Sequence, residues 1–421
     1  MDDIMKNNAV RCGQHVLPLL AISLLTVCAF LPTFRNGFQM EWDDQWMVMN
    51  PLTVLYLNWS SVVEIFCTPF NGQWAPFNQM LYTLLYNLFE YNPFPYHAAS
   101  LLMHLINVWL VYIILWRLLR DRASLSEYRT YAIVVIATAL FAIHPLQVEA
   151  VAWISASKIL MSATFYLLAT YMFILYLTGR RRIFYVATLL MYLCSYLSKE
   201  NVMTFPLWAS LLSIMYGRRV CEKEFWMINV PIYLQTLAMS LHLVFWVSGY
   251  DDYIQGDVYP WWQRAVFCFY SLFNYAYYWM LPFRLDWMYS FPIELHGRLP
   301  WWLLLYPILL LAIVYAAWGR VKSRPVICAL LFSSIHLLFV VHLIVLPREG
   351  VIADRYMYLP IMGLNVLLAY YLTGWSWAIA CKRLSAGLCI VVMLLLTALS
   401  YERTLDWKDS KTLKKENVID M

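Results

Sequence analysis

The stretch Phe38-Gln39-Met40-Glu41-Trp42-Asp43-Asp44 places two adjacent carboxylates directly after the first hydrophobic span of the chain. A carboxylate at a membrane boundary is expensive to desolvate and can serve as a proton acceptor, a cation partner or a metal ligand. Trp42 and Trp46 flank the pair as interfacial anchors, which argues against a merely solvated loop. Four further clusters of polar residues stand where apolar spans end. His144, Glu149 and Lys158 lie between two spans with too few residues for a free loop, so they are held near the bilayer surface. Their bland alternative is a Glu–Lys pair that closes a helical hairpin. Ser198-Lys199-Glu200-Asn201 forms another tight turn, in which Lys199 alone would read as a snorkelling side chain. His97 and His104 open the second span, where a histidine is more often a satisfied helix-end residue than a ligand. Asp354-Arg355-Tyr356-Met357-Tyr358-Leu359-Pro360 opens a late span with a permanently charged, bidentate donor, Arg355.

The residue types fit together as one chemistry. Lys158, Lys199 and Arg355 suit an anionic lipid headgroup and would stabilise charge developing on a phosphate leaving group. A carboxylate would take the proton from an attacking hydroxyl. Glycosyl transfer from a polyprenyl-phosphate sugar needs both, with an oxocarbenium-like transition state between them. Paired carboxylates can also hold a divalent cation, but no third oxygen ligand is identifiable and no metal or other cofactor is assigned.

The elements that must position these groups are membrane helices. Of 421 residues, 62% are hydrophobic and 13% charged, with 20 Trp and 31 Tyr, and the mean hydropathy is +0.60. A soluble domain is about half apolar and a quarter charged. The chain therefore reads as an all-α polytopic membrane protein. Its net charge of +5 is spread over short loops, which gives no reason to expect nucleic acid. The cysteines, among them Cys28, Cys194, Cys268, Cys328 and Cys389, sit in apolar spans and read as packing residues. Eleven spans are expected near 14–33, 98–116, 130–148, 158–178, 182–198, 201–216, 225–249, 301–318, 325–346, 356–373 and 385–401. With the N-terminus inside, the inner connections hold 17 Lys/Arg and 6 acids, and the outer ones before Tyr401 hold 8 and 14. This asymmetry puts all five clusters on the external side. Residues 263–283 are apolar but break the charge pattern if counted as a crossing, so an interfacial or re-entrant helix is expected there.

One transmembrane domain is expected over 1–400, with the acidic motif and interfacial helices in an external loop at 34–97. A second external loop covers 250–300, and a short external tail covers 401–421. No cleavable signal peptide and no internal repeat are evident. Asn58-Trp59-Ser60 matches a glycosylation triplet, which decides nothing by itself.

Three stretches carry a family resemblance: Phe38-x3-Trp42-Asp43-Asp44, Tyr96-His97-x6-His104-x2-Asn107 and His144-Pro145-x3-Glu149-Ala150-Val151-Ala152. Ser198-Lys199-Glu200, Asp354-Arg355-Tyr356-x-Tyr358-Leu359-Pro360 and Arg403-x3-Trp407-Lys408-Asp409 extend it over nearly the whole chain. In this order and spacing the chain resembles the transmembrane-and-tetratricopeptide-repeat (TMTC) proteins and their bacterial relatives. Those in turn are similar to the GT-C superfamily of polytopic glycosyltransferases, which includes the protein O-mannosyltransferases. The resemblance implies a GT-C-like bundle of about eleven transmembrane helices with external interfacial helices. It implies a dolichyl- or undecaprenyl-phosphate sugar donor and inverting transfer to a hydroxyl of a protein, lipid or glycan. It implies a multi-pass protein of the bacterial inner membrane with a periplasmic site, or of the ER membrane in a eukaryote. By position it makes Asp43 the base and Asp44 its support, the reverse staying open. Arg355, Lys158 and Lys199 would contact donor phosphate, with Glu149, His144, His97 and Glu200 supporting. The tetratricopeptide repeats expected beyond Asp409 are absent, which favours a small bacterial relative, and Trp74-Ala75-Pro76 stands where an Arg-Pro pair is usual.

Two other classes remain open at this point. A transporter or flippase for a lipid-linked saccharide would use the same cations without chemistry, with polar groups along a through-membrane path. A non-catalytic membrane scaffold would leave Asp43, Arg355 and Lys158 apart.

Overall fold

The computed structural model describes residues 2–70, 73–247, 259–295, 297–319, 321, 323–342, 350–374 and 382–419. Part of the 250–300 loop lies outside the described residues, as do Arg320, Lys322 and Cys381 in the inner connections and the end of the span expected over 325–346. The helices are α1 (Asp2–Phe30), α2 (Asp44–Met47), α3 (Trp59–Cys67), α4 (Pro76–Phe89), α5 (Pro93–Arg122) and α6 (Glu127–Ile143). They continue as α7 (Val148–Ala152), α8 (Ser157–Gly179), α9 (Arg182–Ser198), α10 (Phe205–Met215), α11 (Lys223–His242) and α12 (Trp261–Met280). The last are α13 (Leu305–Trp318), α14 (Arg324–Leu337), α15 (Ile361–Gly374), α16 (Lys382–Asp406) and α17 (Ser410–Ile419). No strand occurs among the described residues, only isolated bridges such as Tyr289 with Ile352.

Among the described residues, eleven apolar helical segments coincide with the eleven expected spans. Five are long enough to cross a bilayer, one is the bent pair Glu127–Ile143 and Pro145–Ala152, and five are shorter. The 20-residue α12 is not among them; it packs on α13, next to the turn Trp301–Leu304. Two boundaries move. The late span begins at Ile361 rather than 356, because Asp354–Met357 winds as a tight 3-10 turn and Pro360 ends it. Residues 201–204 belong to another such turn before α10.

The faces of α5 show what surrounds the bundle. Leu102, Ile106, Trp109 and Ile113 follow each other at three to four residues and are exposed. His97, Ser100, His104 and Asn107, on the opposite side, are fully buried. An apolar stripe outside and a polar stripe inside reverse the pattern of a water-soluble helix and fit lipid surroundings. Inside, one phenol ties four elements together. The Tyr358 hydroxyl sits 2.8 Å from His104 Nδ1 and 3.0 Å from Asn107 Nδ2. The other His104 nitrogen reaches the Ala142 carbonyl, and Asn107 also donates to the Leu160 carbonyl. Hydrogen bonding of this kind satisfies polar groups that lipid could not.

The decisive local feature is the break after α6. Pro145 has no N–H and disfavours α conformation at the residue before it, so His144 is extended (ψ 135°) and the chain bends by 53°. It continues through α7 between two 3-10 turns before α8 starts. Every residue from Ala137 to Leu160 is buried. The His144–Lys158 connection is therefore not an exposed turn; it packs inside the bundle, with Glu149 and Lys158 buried.

Candidate active site

The two adjacent carboxylates have opposite surroundings. Asp44 is fully buried at the start of α2. One oxygen accepts the Gln39 N–H at 2.7 Å, and the other accepts the Ser155 N–H at 3.0 Å together with the Ser155 hydroxyl. Asp44 thus fastens the acidic loop to the folded-back segment. Burial outweighs those hydrogen bonds and pushes its pKa up to about 6. Asp43 is half-buried and caps the same short helix only through its backbone. Burial raises its pKa above the ordinary carboxylate value, and the charges of Lys158, Arg355 and Lys199 oppose the rise.

Lys158, at the start of α8, is almost fully buried, and Gln73 accepts a hydrogen bond from its ammonium. Its charge is felt together with those of Lys199, Glu200, Asp43 and Arg355. Lys199, just past the end of α9, is also nearly buried. Arg355 binds Glu149 twice, by its guanidinium and by its backbone N–H at 2.7 Å. Its guanidinium carbon also lies 5.3 Å from the centre of the Trp153 ring and 5.1 Å from that of Tyr356, a cation–π arrangement. Trp153 in turn stands between Trp42 and Trp407, with ring centres 6.1 and 5.8 Å away, and Trp287 meets Trp42 edge-on at 4.8 Å. A row of four indoles thus backs the charged groups.

Asp43 lies within electrostatic reach of Lys158, Arg355 and Lys199, Lys158 also of Glu200, and Arg355 pairs with Glu149, so charged groups from separate parts of the chain share one neighbourhood next to Asp44. Two of the expected supporting residues lie elsewhere. His144 holds the bend, accepting the Leu146 N–H at 3.2 Å and reaching the Trp279 carbonyl at 2.9 Å. His97 is buried against the backbone of Asn36 and Gly37, beneath the acidic loop.

Sequence reasoning also missed several groups. Asp354 is buried and accepts the Tyr289 hydroxyl at 2.8 Å; burial and the neighbouring Glu149 carboxylate raise its pKa. It stood beside Arg355 in the motif, and that adjacency was its signal. Gln73 had none. The Trp74 indole donates to the Phe66 carbonyl at 3.0 Å and closes one end of an apolar groove of about 570 Å³ between α9 and α11. Tyr196 and Leu197 line the same groove, three and two residues before Lys199. Among the described residues no group of three or more His, Cys, Asp or Glu is placed to hold a metal ion.

No family model matches the chain. The protein O-mannosyl-transferase Tmtc1 of Drosophila melanogaster is 27% identical over 226 residues, covering 51% of this chain and 25% of that protein. A protein O-mannosyl-transferase of Caenorhabditis elegans is 25% identical over 439 residues, covering 95% of this chain and 57% of that protein. The chain thus spans little more than half the length of one relative and a quarter of the other. Among solved structures, the crystal structure of ArnT from Cupriavidus metallidurans bound to undecaprenyl phosphate covers 96% of this chain and 77% of its own, at 13% identity and a TM-score of 0.49. This multi-pass membrane protein is similar along 95% of its length to the Caenorhabditis elegans protein O-mannosyl-transferase and along 51% to Tmtc1.

Proposed function

We propose that the chain is a GT-C-type glycosyltransferase that moves a sugar from a polyprenyl-phosphate donor to an acceptor hydroxyl, with Asp43 as base. The observation that carries this reading is the convergence of one half-buried carboxylate with Lys158, Lys199 and Arg355. A scaffold has no need of such a meeting, and a flippase needs no base beside it. The names of the two relatives favour a mannosyl group and a protein Ser/Thr hydroxyl over a lipid or glycan acceptor. The charge asymmetry of the connections favours transfer on the side away from the basic ones.

In this mechanism the acceptor oxygen attacks the anomeric carbon as the bond to phosphate breaks. Asp43 takes the hydroxyl proton, and polyprenyl phosphate leaves with its added charge held by the three cations. Asp44 keeps the loop that carries Asp43 fixed against Ser155. Glu149 holds Arg355 by direct pairing. The groove between α9 and α11 would take the apolar chain of the donor, since it is lined mostly by aliphatic and aromatic side chains, among them Trp74 and Leu197, which lie close in the chain to Gln73 and Lys199. The test is to incubate purified protein in lipid nanodiscs with polyprenyl-phosphate mannose, glucose or galactose and Ser/Thr peptides, and to measure glycopeptide by mass. Sugar on peptide, lost in Asp43→Asn, is the expected result. Uptake of the donor lipid across the bilayer without any product would replace the enzyme by a flippase.

A further inference from the structure

The last apolar helix does not end the working part of the molecule. After α16 the chain returns to the acidic loop and grips it along its length. The Asn36 amide donates to the Thr404 carbonyl at 3.0 Å, and the Gly37 N–H to the Lys408 carbonyl at 2.8 Å. The Gln39 side chain donates to the Trp407 carbonyl at 2.7 Å and accepts from the Ser410 hydroxyl at 3.3 Å. That hydroxyl also accepts the Glu41 N–H at 3.1 Å. Gln39 and Trp407 are fully buried and Ser410 nearly so, so these are interior contacts and not a tail lying on a surface.

We propose that Trp407 and Ser410 are positioning residues for the reaction and that they set the relation between the base and the phosphate-binding cations. The inference rests on the transferase reading above. Two connected paths support it. From Ser410 and the Trp407 carbonyl, contact runs to the Gln39 side chain, then from the Gln39 N–H to Asp44, the residue next to Asp43. From the Trp407 indole, contact runs to Trp153 (rings 27° apart) and on to the Arg355 guanidinium. One buried residue therefore touches the support of both halves of the site. A displacement of about 1 Å in such a support can lower a rate about a hundredfold without changing a reacting group.

The experiment compares full-length wild type with Ser410→Ala, Gln39→Ala, the double variant and Ser410→Thr in nanodiscs. It reads kcat, the KM for the polyprenyl-phosphate sugar and hydrogen exchange of the peptide covering 36–47. Ser410→Ala should lower kcat about tenfold or more, leave the donor KM within about twofold and speed exchange in 36–47. Ser410→Thr should restore most of kcat, and the double variant should be no slower than the worse single one. Trp407→Phe, which keeps the backbone carbonyl and an aromatic ring, supplies a second probe if Ser410→Ala does not fold, and should give the same pattern at smaller size. Multiplying losses in the double variant, or wild-type exchange and kcat in Ser410→Ala and Trp407→Phe, would overturn the proposal. If wild type transfers no sugar from any donor, the transferase reading fails, and the exchange of 36–47 alone still decides whether the segment holds the loop.

Discussion

The two ends of the bundle treat charge in opposite ways. At the end with the basic connections, ion pairs are wholly or partly exposed and mostly close in sequence: Arg117 with Asp121 at 3.0 Å, Arg219 with Glu222 at 3.9 Å, and Arg180 with Glu224, whose side chains remain 48% and 42% exposed. The acidic-loop end also has such an exposed pair, Lys414 with Glu41. At the end with the acidic loop, Arg355 and Glu149 meet across 206 positions of sequence, with side chains 22% and 2% exposed. Lys158 and Lys199 are nearly buried beside them. Exposed pairs contribute about 0–1 kcal/mol each and serve topology and solubility. Buried charges carry a desolvation cost that hydrophobic residues of the same size would avoid. Four such charges gathered in one place, against that cost, support the proposed transfer chemistry.

The contrast can be broken by substitution, and the largest effect is expected at the base. Asp43→Asn should cut kcat about a thousandfold or more while donor binding, measured by retention of radiolabelled lipid, stays close to wild type. Arg355→Ala comes next. It should lower both activity and stability, the latter by about 3–5 kcal/mol, because Glu149 is left buried and unpaired. Adding Glu149→Gln should recover much of the melting temperature in detergent and none of the transfer rate. Recovery of the rate would show that the pair acts only as a structural contact.

The next test is a shift in pH dependence. Asp43 must be ionised to accept a proton, so kcat/KM should rise with pH through its elevated pKa. Lys158 opposes that elevation, so Lys158→Met should move the acid limb to higher pH. Asp44 has the opposite requirement. Its folded pKa of about 6 lies above the ordinary aspartate value of 3.8, so its protonated form favours folding. That contribution is complete below about 3.8 and is lost as pH rises through about 6. The melting temperature of wild type relative to Asp44→Asn should therefore rise when the pH falls from 7 to 5. The smallest effect belongs to the other end of the bundle: Arg180→Ala should change stability by less than about 0.5 kcal/mol and transfer by less than twofold.

Much of this was legible in the residues. Hydropathy located eleven apolar segments, because a helix surrounded by lipid must be apolar over a length set by the bilayer. The charge pattern put the five clusters on one side, and residue types gave the pairing of a base with cations. The adjacency of Asp354 to Arg355 and the Trp407-Lys408-Asp409 motif were visible, but their roles were not. No periodicity reports a contact between positions 39 and 407, or 149 and 355, since each depends on how the helices pack.

Tertiary structure alone decided three matters. It distinguished Asp43 from Asp44, identical neighbours in sequence, by burying one against Ser155 and leaving the other beside three cations. It removed His144 from the site, because the bend that Pro145 forces needs that ring for its own hydrogen bonds. It also made the terminal segment part of the acidic loop's frame. Sequence by itself determined which groups were present and, through the cost of placing charge in hydrocarbon, that they stand where apolar spans end. Their convergence required the folded-back segment after α6, which Pro145 begins by a local bend and which packing among the helices carries inward.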